Sequence, residues 1–183
     1  DLGKLSFINK NNKTLYLLIS ANAGLYGPIV QKTFDLFVKT KKDKNYDVAI
    51  IGRLGLQMWK DMGIEGKYHY FELSDQKIEN NKLKEMLDFI IHYEKIVIFY
   101  GQFHNLIKQE ATYSDISGNA LVGTSTQKVQ TKYLFEPSLE KIMEFFEKQI
   151  LSSIFEQTVR ESQLAKLGSR LTALDIATQS IDK

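Results

Sequence analysis

Gly24 and Gly27 punctuate the segment Ser20-Ala21-Asn22-Ala23-Gly24-Leu25-Tyr26-Gly27-Pro28, between an apolar run and an amphipathic stretch. A glycine loop joining a strand to a helix can turn its backbone N–H groups toward a phosphate, with the helix N-terminus adding partial positive charge. The spacing here is only G-x-x-G. It lacks the G-x-G-x-x-G of a dinucleotide loop and the G-K-[S/T] of a P-loop, and no acidic residue follows the next strand to hold a ribose. The loop therefore reads as a tight turn with close backbone packing.

Other chemistry finds no constellation. His69, His92 and His104 stand apart, with neither H-x3-H nor H-E-x-x-H spacing for a metal. The carboxylate pairs Glu144/Glu147 and Asp43/Asp47 sit among lysines and read as solvated faces. Ser20, Ser114 and Ser162 lack the G-x-S-x-G elbow of a nucleophile. Zero cysteines exclude a disulfide framework, a thiolate metal site and a cysteine nucleophile. No catalytic, cofactor-binding or metal-binding residues are expected on this chain.

Of the 24 basic residues only Arg53, Arg160 and Arg170 are arginines, and the formal net charge is +2. Lysine is a flexible point charge, whereas bidentate phosphate and base recognition favours arginine. With no basic stripe interleaved with aromatics, a nucleic-acid partner is not expected. No apolar run approaches the roughly 18–20 residues of a membrane span; Ile96–Tyr100 is the strongest short one.

The elements that must position these residues follow from the hydrophobic pattern. Leu15–Ile19 and Asp47–Ile51 are continuous apolar runs of the kind covered on both faces of a sheet. Ile29, Val30, Phe34 and Phe37 mark a helix after Pro28. Gly55, Leu56, Met58 and Trp59 mark a second helix, stopped by Gly63. Tyr68–Leu73 suggests a third strand, and Leu83, Met86, Leu87, Ile90 and Ile91 a third helix. Lys95–Tyr100, Phe103–Tyr113 and Tyr133–Phe135 read as further strands, with 114–130 a loop. Alternation of this kind predicts an α/β fold, a Rossmann-like sheet with helices on its faces, over a head domain of residues 1–137.

Residues 138–183 break the alternation, with no proline and a single glycine, Gly168. One long helix is expected, capped by Ser138, with Glu140 in its first turn. Its apolar face is broad over 139–159 (Leu139, Ile142, Met143, Phe145, Phe146, Ile150, Leu151, Ile154, Phe155), which predicts packing on the head. Over 160–183 it narrows to Leu164, Leu167, Leu171, Leu174, Thr178 and Ile181, steps of 3 and 4 that are the seam of a coiled coil. A seam needs a partner helix, and the sequence contains no second one. That shortfall, with a first residue Asp1 rather than Met, predicts an excerpt of a longer protein.

Three segments together resemble one family, the gamma subunit of F-type ATP synthases. Leu15–Gly27 resembles its first strand and glycine loop, and Asp47–Gly52 its second strand. Tyr133–Ser180 resembles its C-terminal helix through Phe135, Glu136, Pro137, Glu161, Ser162, Arg170, Ala173, Ala177 and Thr178. The resemblance implies a non-catalytic rotor shaft: an α/β head and one strand of an antiparallel coiled coil, turning inside a ring of alpha and beta subunits. ATP, ADP and magnesium would then reside on those partner subunits. It also implies ring contacts through Arg170 and Gln163, a head loop at Gly24, Leu25 and Gly27, and an epsilon-like subunit and membrane ring at the head. The corresponding location is cytoplasmic and peripheral, at the inner face of the cell membrane.

Departures from the family pattern are Asn22-Ala23, Tyr26 and Pro28 in the loop, and Gln163, Leu171, Leu174 and Gln179-Ser180 in the helix. They keep the seam apolar while removing polar marks. That favours a divergent paralogue over the standard subunit, with a rotor driving a machine other than the proton-translocating ring as a variant of the reading. The alternatives are a small α/β nucleotide-binding domain or scaffold dimerising through its C-terminal helix, and a long helix folded back on its own domain.

Overall fold

The computed structural model describes residues 8, 10–40, 45–64, 66–117 and 138–181. Five strands form one sheet: β1 (Thr14–Ile19), β2 (Tyr46–Ile51), β3 (Tyr68–Phe71), β4 (Lys95–Phe103) and β5 (Gln109–Asp115). Their order is β3-β2-β1-β4-β5, with the first four parallel and β5 antiparallel on β4. Leu15, Leu17 and Ile19 of β1 point to one face with Ala49, Ile51, Ile96 and Ile98. Tyr16 and Leu18 point to the other with Val48, Ile50, Val97 and Phe99. Because side chains alternate along a strand, burial on both faces requires the unbroken apolar runs seen in the sequence.

Helices cover each face. α1 (Ile29–Thr40) and α2 (Arg53–Asp61) lie over the Tyr16/Phe99 side. α1 buries Ile29, Val30, Thr33, Phe34 and Phe37, and Phe37 meets Phe99 edge-on at 5.3 Å between ring centroids. Pro28 precedes α1, and its carbonyl accepts the Lys32 N–H at 3.0 Å. The opposite face receives Leu83, Met86 and Ile90 of α3 (Asn80–Ile90) and Leu151, Phe155 and Val159 of α4 (Leu139–Ile181).

The expected strand over Phe103–Tyr113 is instead a hairpin. β4 runs on to Phe103, the chain reverses, and β5 returns from Gln109. The turn has neither glycine nor proline, so it left no mark in the sequence. It is held by the Asn105 side-chain oxygen, which accepts the N–H groups of Ile107 at 3.0 Å and Lys108 at 2.8 Å. Of the expected loop at 114–130, Ser114 and Asp115 end β5 and Ile116 and Ser117 are buried; the rest lies outside the described residues, as does the strand expected at Tyr133–Phe135.

α4 is 43 residues long, about 65 Å at the helical rise. Its buried side chains are Leu151, Phe155, Thr158, Val159, Ser162, Ala165, Lys166 and Ser169. The stretch against the head thus begins later than the expected 139–159 and runs on past it: Met143, Phe145, Phe146 and Ile150 are exposed, Leu151, Phe155 and Val159 are buried, and beyond them Ser162, Ala165, Lys166 and Ser169 are covered. The reason is steric. Serine and alanine let a helix approach a sheet closely, and they carry no hydropathy signal by which a docking face is read.

This placement separates two phenylalanines of similar pattern. Phe155→Ala is expected to lower the unfolding free energy by about 3–5 kcal/mol through the cavity it leaves. Phe145→Ala, at a side chain 63% exposed, is expected to change it by no more than about 0.5 kcal/mol. Urea unfolding of both variants measures the difference.

Candidate functional site

In an open α/β sheet a ligand binds in the crevice at the carboxyl ends of the strands, where the strand order reverses. Here that point lies between β1 and β4, and α4 fills it. Gly27 has φ +62°, and a Cβ there would stand 2.8 Å from the Ser169 Oγ and 3.0 Å from its carbonyl oxygen. A Cβ on Gly101 of β4 would stand 3.2 Å from the Ala165 Cβ. Both glycines are needed so that α4 can come this close. The glycine loop after β1 therefore receives a helix of its own chain, in the place where a nucleotide-binding sheet would hold a phosphate.

Lys166 enters the same crevice, and its Nζ donates to Asp75 Oδ1 at 2.8 Å and to the Ser20 carbonyl at 3.0 Å. It also lies 5.7 Å from the centre of the Tyr26 ring. Asp75 is fixed in turn, since its Oδ2 accepts the Asn22 N–H at 2.8 Å. The Asn22 side chain donates to the Leu73 carbonyl at 2.6 Å and accepts the Arg53 N–H at 3.2 Å. Burial pushes the Lys166 ammonium below its usual range, with the Asp75 charge and hydrogen bond acting against that shift. Burial likewise raises the Tyr26 phenol, reinforced by the Asp75 charge and opposed by Arg170. The Ser20 hydroxyl is buried with no hydrogen-bond partner among the described residues.

The seam residues take the other side of α4. Leu164, Leu167, Leu171, Leu174, Thr178 and Ile181 are all exposed, Leu171 and Leu174 each by 54%. At 3.6 residues per turn the seam and the buried stripe lie roughly 150° apart around the helix. A single helix thus presents one stripe to the head and a second, apolar one to solvent. Gln163 and Arg170, expected to touch the ring, stand half-buried on the flank between the stripes. Gln163 already donates to the Ser74 carbonyl at 3.1 Å, so one of the two is engaged with the head. In the head loop Leu25 is exposed by 63%, Gly24 faces open space, and Gly27 is pinned under Ser169.

The histidines remain apart. His69 packs on Phe89 at 4.5 Å between ring centroids, His104 lies 3.4 Å from Glu110, and His92 is exposed. Among the described residues no group of three or more His, Asp or Glu could hold a metal ion, and no helix is long and apolar enough to cross a membrane. Sequence reasoning missed Lys166 and Asp75. The available signal was one lysine in a stripe of serine and alanine opposite the seam; its partner, 91 residues away, carried none.

A family model described as ATP synthase matches residues 3–183. The ATP synthase gamma chain of Halothermothrix orenii is 26% identical to this chain over 98% of its length and 66% of the relative. The chain belongs to the ATP synthase gamma-chain family. Its fold is similar to that of chains in solved ATP synthase structures. One is in the Euglena gracilis mitochondrial ATP synthase OSCP/F1/c-ring structure, with TM-score 0.72, 15% identity, and 93% of this chain and 62% of that one covered. Another is in the Tetrahymena thermophila central stalk/c-ring structure, with TM-score 0.69, 16% identity, and 91% and 77% covered. The chain spans 62% to 66% of the length of the curated gamma chains it matches.

The depressed Lys166 pKa has a measurable consequence. Below its ordinary value of 10.5 the unfolded chain binds the proton more tightly than the folded one, so this group's contribution to stability rises with pH toward 10.5. Compared with Lys166→Met, the wild-type chain should gain stability as pH climbs toward 10.5, read from urea midpoints at each pH. A constant difference between the two proteins would contradict the assignment.

Proposed function

We propose that this chain is the central shaft of a rotary ATPase, a non-catalytic subunit that carries torque between a ring of alpha and beta subunits and a partner at its head. The observation that carries this reading is the pair of opposed stripes on α4. One stripe seats the helix in the head's crevice, and the other leaves Leu164, Leu167, Leu171 and Leu174 uncovered on the far side. An apolar seam with a strict 3–4 repeat is stabilised by a second helix laid along it. Such a helix pair is stiff enough to transmit torsion.

In this reading the catalytic nucleotide sites, with ATP, ADP and magnesium, belong to the ring subunits. The head is inert, because α4 occupies the crevice in which an open α/β sheet binds nucleotide. The nucleotide-binding alternative loses its footing for the same reason. Contact with the ring runs along the seam and through Arg170 on its flank. The head faces an epsilon-like subunit and a membrane ring, or another machine in their place, which makes the protein peripheral at the cytoplasmic side of the membrane. The departures Asn22 and Tyr26 support a head specialised within its family: the Asn22 side chain is bonded to the Leu73 and Arg53 backbone, and the Tyr26 ring packs against Lys166, rather than either serving an outward surface.

Leu167→Asp and Leu171→Asp test the reading. A charge placed in a buried helix–helix seam costs about 3–5 kcal/mol, whereas at these exposed positions of the isolated chain it should leave folding intact. The expected result is loss of co-purification with alpha and beta subunits, with the unfolding midpoint unchanged. Retention of the ring by both variants would contradict the seam assignment.

A further inference from the structure

We propose that the buried Lys166–Asp75 pair, together with the Ser20 carbonyl, is a register clamp: it fixes where along its axis, and at what rotation, α4 sits on the head. The inference deepens the rotor reading and rests on it for its purpose, since a shaft that slid or turned in its socket would not drive the head.

The argument begins with the surface that docks. From Ser162 to Ser169 the buried positions of α4 are Ser162, Ala165, Lys166 and Ser169, with Gly168 also covered. Apart from Lys166 these are small, and the socket opposite is small as well, built on Gly27 and Gly101. Side chains of equal and minimal size one turn apart give a smooth track. Within this stretch a one-turn displacement brings Ala165 or Ala173 to the place of Ser169, so the small residues oppose a discrete shift of the kind by which packed helices ratchet only weakly. Leu151, Phe155 and Val159 oppose it further toward the N-terminus of α4, and Lys166 opposes it here. Gln163 to the Ser74 carbonyl and Thr172 to the Leu106 carbonyl, at 3.1 and 2.9 Å, are neutral hydrogen bonds at the edge of the contact.

Lys166 is different. Its side chain is 7% exposed and that of Asp75 8%, and each has a specific place to be. Asp75 is anchored by the Asn22 N–H, and Asn22 by Leu73 and Arg53. A one-turn shift of about 5.4 Å would carry the ammonium away from both acceptors and leave two buried charges unpaired. Replacing a buried ion pair by apolar groups of similar volume is often neutral for stability, and specifying register is the best-attested use of such a pair.

The chain contains no cysteine, which allows clean spin labelling of the full chain at Lys84→Cys on α3 and Gln179→Cys on α4, both exposed. The expected distance distribution is a single narrow peak. The double variant Lys166→Met/Asp75→Leu should keep its unfolding midpoint yet show a broadened distribution, or a second peak displaced by up to about one helical turn. The exchanged pair Lys166→Asp/Asp75→Lys should return toward a single peak. A distribution unchanged in Lys166→Met/Asp75→Leu overturns the proposal. So does failure of that variant to fold, which would make the pair a source of stability rather than of register. Because these measurements use the chain alone, they do not depend on the rotor reading, which fails instead if the unaltered chain never associates with alpha and beta subunits.

Discussion

Lys166 carries a positive charge into the crevice between β1 and β4, and the surrounding structure follows from keeping that charge paired. The ammonium needs Asp75, Asp75 needs the Asn22 backbone, and α4 must approach the sheet closely enough for all three to meet. Close approach demands the positive φ of Gly27 and the missing side chain of Gly101 on one side, and Ser162, Ala165 and Ser169 on the other. These requirements fix the direction of α4 across the sheet. That direction in turn decides which of its positions are left for solvent.

The consequence is a division of labour around one helix. Leu151, Phe155 and Val159 extend the hydrophobic core, and the small stripe beyond them fills the crevice. On the far side Leu164, Leu167, Leu171 and Leu174 form an apolar stripe exposed to solvent. Burying such a seam is worth far more than leaving it in water, at roughly 25 cal/mol per Å2 of apolar surface removed. A helix face left in this way suits a partner laid along it, and the chain carries it within the ATP synthase gamma-chain family.

Much of this was legible in the sequence, for reasons that are local. The parity of Leu15, Leu17 and Ile19 against Tyr16 and Leu18 announces a strand buried on both faces, and the 3–4 steps from Leu164 to Leu174 announce one apolar stripe along the helix, which stands exposed. What stayed hidden was non-local or lacked hydropathic contrast. The reversal at 104–108 rests on the Asn105 side chain rather than on glycine or proline. Beyond Val159 the docking stripe of α4 is small or polar, so the prediction over 139–159 includes Leu151, Ile154 and Phe155, which pack on the head, but also the exposed Met143, Phe145, Phe146 and Ile150, and stops short of Ser162, Ala165, Lys166 and Ser169. The Lys166–Asp75 pair joins residues 91 apart in sequence, and neither has a neighbour that betrays the other.

The most direct measurement is a cryo-electron microscopy map of the assembly purified through an affinity tag on this chain. The expected map has α4 on the axis of a ring of alpha and beta subunits, with a second helix laid against Leu164, Leu167, Leu171 and Leu174 and Lys166 still seated on Asp75. A map in which that seam is covered by another copy of the same chain, or lies bare with no ring around it, would contradict the shaft.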